Sequence, residues 1–165
     1  MASSATASTI IQLSTALAQR LSQRGWRVAA AESCTGGGIS AAITAIPGSS
    51  AWFEYGIVSY ANQAKHKLLQ VSTRTLDEQG AVSEAVVREM LKGVLALAGA
   101  DVAVAVSGIA GPTGGTADKP VGTVWFAWGL ASGEVRTQLL HFTGDRQSVQ
   151  QQSVAQGLRG LLDLL

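Results

Sequence analysis

Apolar residues along this chain follow two spacings, and the switches between them divide it into helices and strands. Ile10, Leu13, Leu17 and Leu21 recur three or four residues apart, the period of one helix face, and Gly25 ends the run. Ser8 or Thr9 offers an N-cap, so the small and polar residues 1–7 read as a frayed, disordered tail. Trp26–Ala31 is then a short apolar strand. A helix opening at Gly36 carries Ile39, Ala42, Ile43 and Ile46 on its inner side until Pro47-Gly48 stops it. Tyr55–Tyr60 is a β-rich run, Asn62 is placed to cap the next helix, and Lys65 falls in that helix's first turn. The pattern predicts a short helix after Ser72 ending at Gly80, and a longer one from Ser83 with Val86, Val87, Met90, Leu91, Val94 and Leu95 facing inward. Val102–Val106 is apolar without a break, as in a strand covered on both faces, which puts it at the centre of a sheet. Val121–Leu130 and Glu134–Phe142 flank Ser132-Gly133 and should pair antiparallel. Asp145 caps a last helix whose Val149, Leu158, Leu161 and Leu162 suit a core face.

Strands alternating with helices over 165 residues point to one α/β domain, long enough to bury roughly two-thirds of its unfolded surface. With 47% hydrophobic and 14% charged residues the chain has the composition of a well-buried globular protein. A net charge of +1 and no run of Lys and Arg among aromatics argue against nucleic acid as a direct ligand. No apolar stretch approaches the roughly 18 residues of a membrane span, and the start lacks a basic segment before an apolar one. The expected location is therefore the cytoplasm, with no membrane partner. The lone Cys34 excludes an internal disulfide framework. His66 and His141 have none of the spacings that hold a transition metal, so neither a metal nor another cofactor is expected.

The candidate chemistry gathers at strand ends. Ala29–Gly38 runs from small strand residues into Ser33, Cys34 and Thr35 and then three glycines, the composition of an active-site turn between strand and helix. Ser33 and Cys34 are both candidate nucleophiles there, and the amides that open the following helix are candidate donors for an anion. The loop from Ser107 to Gly115 is a second turn of this kind, at the end of the expected central strand. Lys65 and Arg146 each put a cation at a helix start, where the macrodipole disfavours it. That placement is explained if Lys65 is wanted as a neutral amine and Arg146 helps to hold an anion. His141, near a strand end, is taken as structural.

Six segments taken together are specific. Ala31–Gly37, Pro47–Phe53, Tyr60–Lys65, Gly80–Ser83, Ser107–Pro112 and Lys119–Val124 resemble, in order over residues 8–163, the successive motifs of the CinA C-terminal domain family. The resemblance implies a three-layer α/β/α sandwich around a mixed, mostly parallel five-stranded sheet with one antiparallel strand, similar to anticodon-binding domains. It also implies the family's amidohydrolase activity, conversion of nicotinamide mononucleotide and water to nicotinic acid mononucleotide and ammonia in pyridine-nucleotide salvage. The chain is similar to the family's stand-alone form, and a homodimer is expected.

On this resemblance Ser33 is the nucleophile and Lys65 its base, with Tyr60, Thr35 and Ser107 close by. Ala61 departs from the serine more usual in the family, which touches only a secondary contact. The chemistry is coherent, because serine needs a neutral amine to take its proton before it can attack an amide. The Gly36 and Gly37 amides are the expected oxyanion donors. Ser49, Ser50 and Arg146 are the expected phosphate contacts, Trp52 or Phe53 is expected to stack on the pyridinium, and Gly108 lies in the substrate loop. The rival readings are a Cys34 nucleophile and a non-catalytic nucleotide-binding or interaction domain linked to competence or DNA damage.

Overall fold

The computed structural model describes residues 4–165. Its elements are α1 (Ser4–Arg24), β1 (Val28–Glu32), α2 (Gly38–Thr44), a 3-10 turn (Ser49–Ala51), β2 (Phe53–Val58), α3 (Asn62–Leu69), α4 (Thr73–Gln79), α5 (Glu84–Ala98), β3 (Val102–Gly108), β4 (Thr123–Leu130), β5 (Val135–His141) and α6 (Arg146–Leu164). The strands form one sheet in the order β2-β1-β3-β4-β5. β1 lies parallel to both of its neighbours, and β4 runs antiparallel to β3 and β5. The expected mixed sheet with a single antiparallel strand is therefore present, with β3 at its centre.

The two faces of the sheet are written into the central strands as an alternation of valine and alanine. Val102, Val104 and Val106 of β3 join Val28 and Ala30 of β1 in a core with Leu17 and Leu21 of α1, Ile39 and Ile43 of α2, and Leu158 and Leu161 of α6. Ala103 and Ala105 join Ala29 and Ala31 in a second core with Val86, Val87, Met90, Leu91 and Val94 of α5. Small residues on that face let α5 lie close against the sheet, while the valines fill the space under α2 and α6. Burying each Val, Leu or Ile contributes about 1.5–3 kcal/mol, so these two layers hold the strand ends in place.

Several boundaries differ from the expected ones. Of the expected tail at 1–7, residues 1–3 lie outside the described residues and 4–7 are helical, since no Gly or Pro interrupts the run leading into Ile10. Ser8 and Thr9 are thus inside α1 and do not cap it. β2 sits two residues earlier than expected, and the first residue of α3 is Asn62, with Ala61 in the cap position. Helix α2 opens at Gly38 because Gly36 (φ 59°) and Gly37 (φ 98°) are left-handed and form a turn first. Asp145 caps α6 as expected, accepting from Ser148 N–H at 2.8 Å, and the helices expected from Ser72 and Ser83 are capped by those residues, Ser72 accepting from Thr75 N–H at 3.4 Å and Ser83 from Val86 N–H at 3.3 Å. None of the described helices is long and apolar enough to cross a membrane.

Candidate active site

Because β2, β1 and β3 are parallel, their carboxyl ends share one edge of the molecule. Ser33 N–H donates to the Val106 carbonyl at 3.0 Å and Ser59 N–H to the Glu32 carbonyl at 2.8 Å, carrying the ladder one residue beyond each strand. The chain then turns through Tyr60 and Ala61 into α3, and Lys65, one turn along, points back under the strand ends. Its side chain is 1% exposed. Lys65 Nζ lies 2.9 Å from Ser33 Oγ, 2.8 Å from the Ser59 carbonyl and 3.2 Å from the Tyr60 carbonyl.

Those three partners occupy every direction open to the nitrogen. Burial pushes the Lys65 pKa below its ordinary value. A thiolate at Cys34 would pull it back up, but burial, aided by the Glu32 charge, raises the Cys34 thiol to about 12. Cys34 is therefore a protonated thiol at neutral pH, and the opposing influence on Lys65 is absent there. In its neutral form Lys65 would donate its two hydrogens to the carbonyls of Ser59 and Tyr60 and turn its lone pair to the Ser33 hydroxyl. Such an arrangement can pass a proton between the hydroxyl and the amine.

Sequence reasoning gave no role to Glu32. Its carboxylate is fully buried at the end of β1. It accepts from Thr35 Oγ1 at 2.5 Å, Ile39 N–H at 3.0 Å, Ser40 N–H at 2.8 Å and Ser40 Oγ at 2.7 Å. An internal anion thus occupies the α2 N-terminus that the sequence offered to a substrate or an oxyanion. The Gly36 amide is engaged as well, closing a turn onto the Ser33 carbonyl at 3.0 Å. The Gly36 amide expected as a free donor is thus taken, as are those of Ile39 and Ser40, and the Thr35 hydroxyl is committed to Glu32. A signal was present in the sequence: one acid ending an apolar strand, with hydroxyls three and eight residues on.

Ser33, Cys34, Tyr60, Lys65, Ser107, Gly108 and Arg146 all line one cavity of about 310 Å³, together with Ala81, Val82 and the 109–114 loop. The Ser107 hydroxyl donates to the Ala81 carbonyl at 2.8 Å. Tyr60 is 58% exposed at the rim. Its phenol oxygen accepts from Arg146 Nη2 at 2.7 Å, while Arg146 Nη1 donates to the Gly111 carbonyl at 2.9 Å. Gly108 lets β3 leave the sheet closely, since a Cβ there would stand 2.9 Å from the Thr123 carbonyl oxygen.

Ser49, Ser50, Trp52 and Phe53 do not reach this cavity. The parallel register pairs Phe53 with Val28, at the opposite end of β1 from Ser33, about 16 Å along the strand. Ser49 and Ser50 form the 3-10 turn before that end, and Trp52 is packed in the α1–α2–α6 core. The phosphate and stacking roles expected of them are withdrawn. His141 is in β5, opposite Thr123, and does not line the cavity either.

With the geometry in place, the likeness to known proteins is informative. The family model of the CinA C-terminal domain matches residues 10–165. The chain is 56% identical over 151 residues to the nicotinamide-nucleotide amidohydrolase PncC of Enterobacter agglomerans, covering 92% of each protein. It is 53% identical over 156 residues to the protein of the same name from Escherichia coli K12, covering 94% of each. Among solved structures, the competence/damage inducible protein CihA from Agrobacterium tumefaciens superposes with a TM-score of 0.93 at 40% identity, over 94% of this chain and 95% of that one. The competence damage-inducible protein A (ComA) from Klebsiella pneumoniae gives 0.90 at 45% identity, over 93% and 95%.

Proposed function

This chain belongs to the CinA C-terminal domain family, and from that premise we propose that it is a nicotinamide-nucleotide amidohydrolase in which Ser33 and Lys65 form the catalytic dyad. The observation that carries the mechanism is the 2.9 Å approach of Lys65 Nζ to Ser33 Oγ, with both carbonyl partners in place.

Lys65 takes the Ser33 proton as Oγ attacks the carboxamide carbon of nicotinamide mononucleotide. The proton passes to the amide nitrogen, ammonia leaves, and a nicotinoyl ester remains on Ser33. Water then attacks the ester, Lys65 receives its proton, and Ser33 Oγ regains a hydrogen as nicotinic acid mononucleotide departs. Cys34 is set aside as the nucleophile, because its thiol, raised to about 12, is not ionised at neutral pH and the Lys65 amine meets the Ser33 hydroxyl.

Arg146 binds the substrate phosphate. Gly111 and Tyr60 hold two of its five N–H donors and so fix the guanidinium, leaving the others for an anion. Tyr60 is the one aromatic ring among the cavity residues, and it takes over the pyridinium stacking first expected of Trp52 or Phe53. Ammonia release by the purified protein from nicotinamide mononucleotide, nicotinamide riboside and nicotinamide tests the reading. Turnover should be greatest with the mononucleotide; no ammonia from any of the three would overturn it.

A further inference from the structure

The hydrogen bonds around Lys65 impose an order on the reaction. Its nitrogen has three directions besides the bond to Cε, and Ser59, Tyr60 and Ser33 fill all of them. While the Ser33 hydroxyl is free, no direction on the base remains for an incoming water. Once Ser33 is acylated its oxygen carries no hydrogen, and the lone pair is released to the next nucleophile. The base is thus offered to a second molecule only after ammonia has formed.

That second molecule enters a site already built for an amine. The first half-reaction expels ammonia from a tetrahedral centre beside Lys65, and the same transition state run backwards is attack of ammonia on the ester. The described cavity residues comprise the Lys65 amine, the Arg146 guanidinium, hydroxyls, a thiol, apolar side chains and main chain, and Lys65 Nζ lies 2.9 Å from the Ser33 hydroxyl. They include no carboxylate or imidazole that would activate water in preference to a neutral amine of similar size.

We propose, resting on the amidohydrolase reading above, that this protein is also an acyltransferase, passing the acyl group on Ser33 to small neutral amines. With hydroxylamine the nitrogen attacks the ester carbonyl, the C–Oγ bond breaks, and Lys65 carries the proton from nitrogen to Ser33 Oγ. The product is the hydroxamate of the nucleotide, and the sum is amide plus hydroxylamine giving hydroxamate plus ammonia. No oxidant or reductant is needed.

The test incubates the full chain with nicotinamide mononucleotide and increasing hydroxylamine near neutral pH, with Ser33→Ala protein as background. Ammonia, acid and hydroxamate are each measured. Acid formed per ammonia released should fall below one as hydroxylamine rises, with hydroxamate making up the shortfall mole for mole. Acid and ammonia staying equal, with no hydroxamate above background, would overturn the acyl-transfer proposal while leaving amide hydrolysis standing. Absence of ammonia itself would mark failure of the amidohydrolase reading, and the transfer would fall with it.

Discussion

Ser33 and Ser107 hold the same place on neighbouring strands. Each stands one step beyond the paired Glu32 and Val106 of two parallel strands, and both are nearly inaccessible, at 7% and 1% exposure. Both face the same cavity. What separates them is the partner each hydroxyl meets. Ser33 Oγ faces a buried amine, whereas the Ser107 hydroxyl is tied to the Ala81 carbonyl, which can orient it but cannot remove its proton. The segments that follow differ too: a buried carboxylate fastens the turn after Ser33 through four hydrogen bonds, while the loop after Ser107 runs exposed through residues 112–118. On the proposed mechanism, what equips a strand-end serine as a nucleophile is a facing amine and a rigid turn, and location alone does not suffice.

The comparison breaks first at Ser33. We expect Ser33→Ala to lower kcat for ammonia release by at least about a thousandfold, as loss of a covalent nucleophile does. Cys34→Ala should stay within about threefold of wild type, because its buried thiol is not ionised. Near-normal turnover by a folded Ser33→Ala protein would remove the dyad.

Lys65→Arg should cost at least about a hundredfold in kcat although charge and length are nearly kept, since a guanidinium does not lose its proton in this range. The sign of the pH dependence follows from burial. A lysine whose pKa is lowered is inactive while protonated, so wild-type kcat/KM should rise with pH through a midpoint below the ordinary lysine value. That limb should be missing from any residual Lys65→Arg activity.

Much of this asymmetry was legible in the sequence, and the missing parts share one cause. The unbroken Val102–Val106 run marked the central strand, and Lys65 at a helix start, odd on electrostatic grounds, marked the amine that lies against Ser33. Those signals are local. The Glu32 partners lie only three to eight residues on, yet they went unread, because whether a helix start receives an outside anion or a neighbouring carboxylate depends on how β1 and α2 meet. Ser49, Ser50, Trp52 and Phe53 failed for the same reason. Their residue types suit a phosphate and a pyridinium, but the register of β2 on β1 sends them to the far end of the sheet.

Glu32→Gln probes the fastening of the Ser33 turn. The amide keeps the shape but turns an NH₂ toward donors it cannot satisfy, leaving buried groups unpaired at about 1–3 kcal/mol. In a domain of this size we expect Tm to fall by roughly 2–4 °C per kcal/mol lost. An unchanged melting temperature would mean that the four contacts do not hold the turn.

Arg146→Ala should act at the other wall of the cavity, raising KM for the mononucleotide about tenfold with kcat nearly kept, since a phosphate clamp binds ground and transition states alike. The riboside, without a phosphate, should respond far less. Equal losses on both substrates would show that the arginine acts through Tyr60 and the loop rather than on the anion.

The smallest effect should come from Ser107→Ala, and it bears most directly on the two strands. If the Ser107 hydroxyl only ties β3 to the Ala81 segment, its removal takes this donor from the half-buried Ala81 carbonyl, a loss of about 1 kcal/mol that thermal unfolding would register. Turnover should then change by less than about threefold, because no proton moves through that oxygen. The equivalent change at Ser33 has the opposite profile, with little effect on stability and nearly complete loss of rate. If instead Ser107→Ala lost more than about a hundredfold in kcat at unchanged Tm, the hydroxyl must leave Ala81 and reach the reacting carbonyl in the substrate complex. The two serines would then be partners in one step, and the asymmetry between the strands would not survive substrate binding.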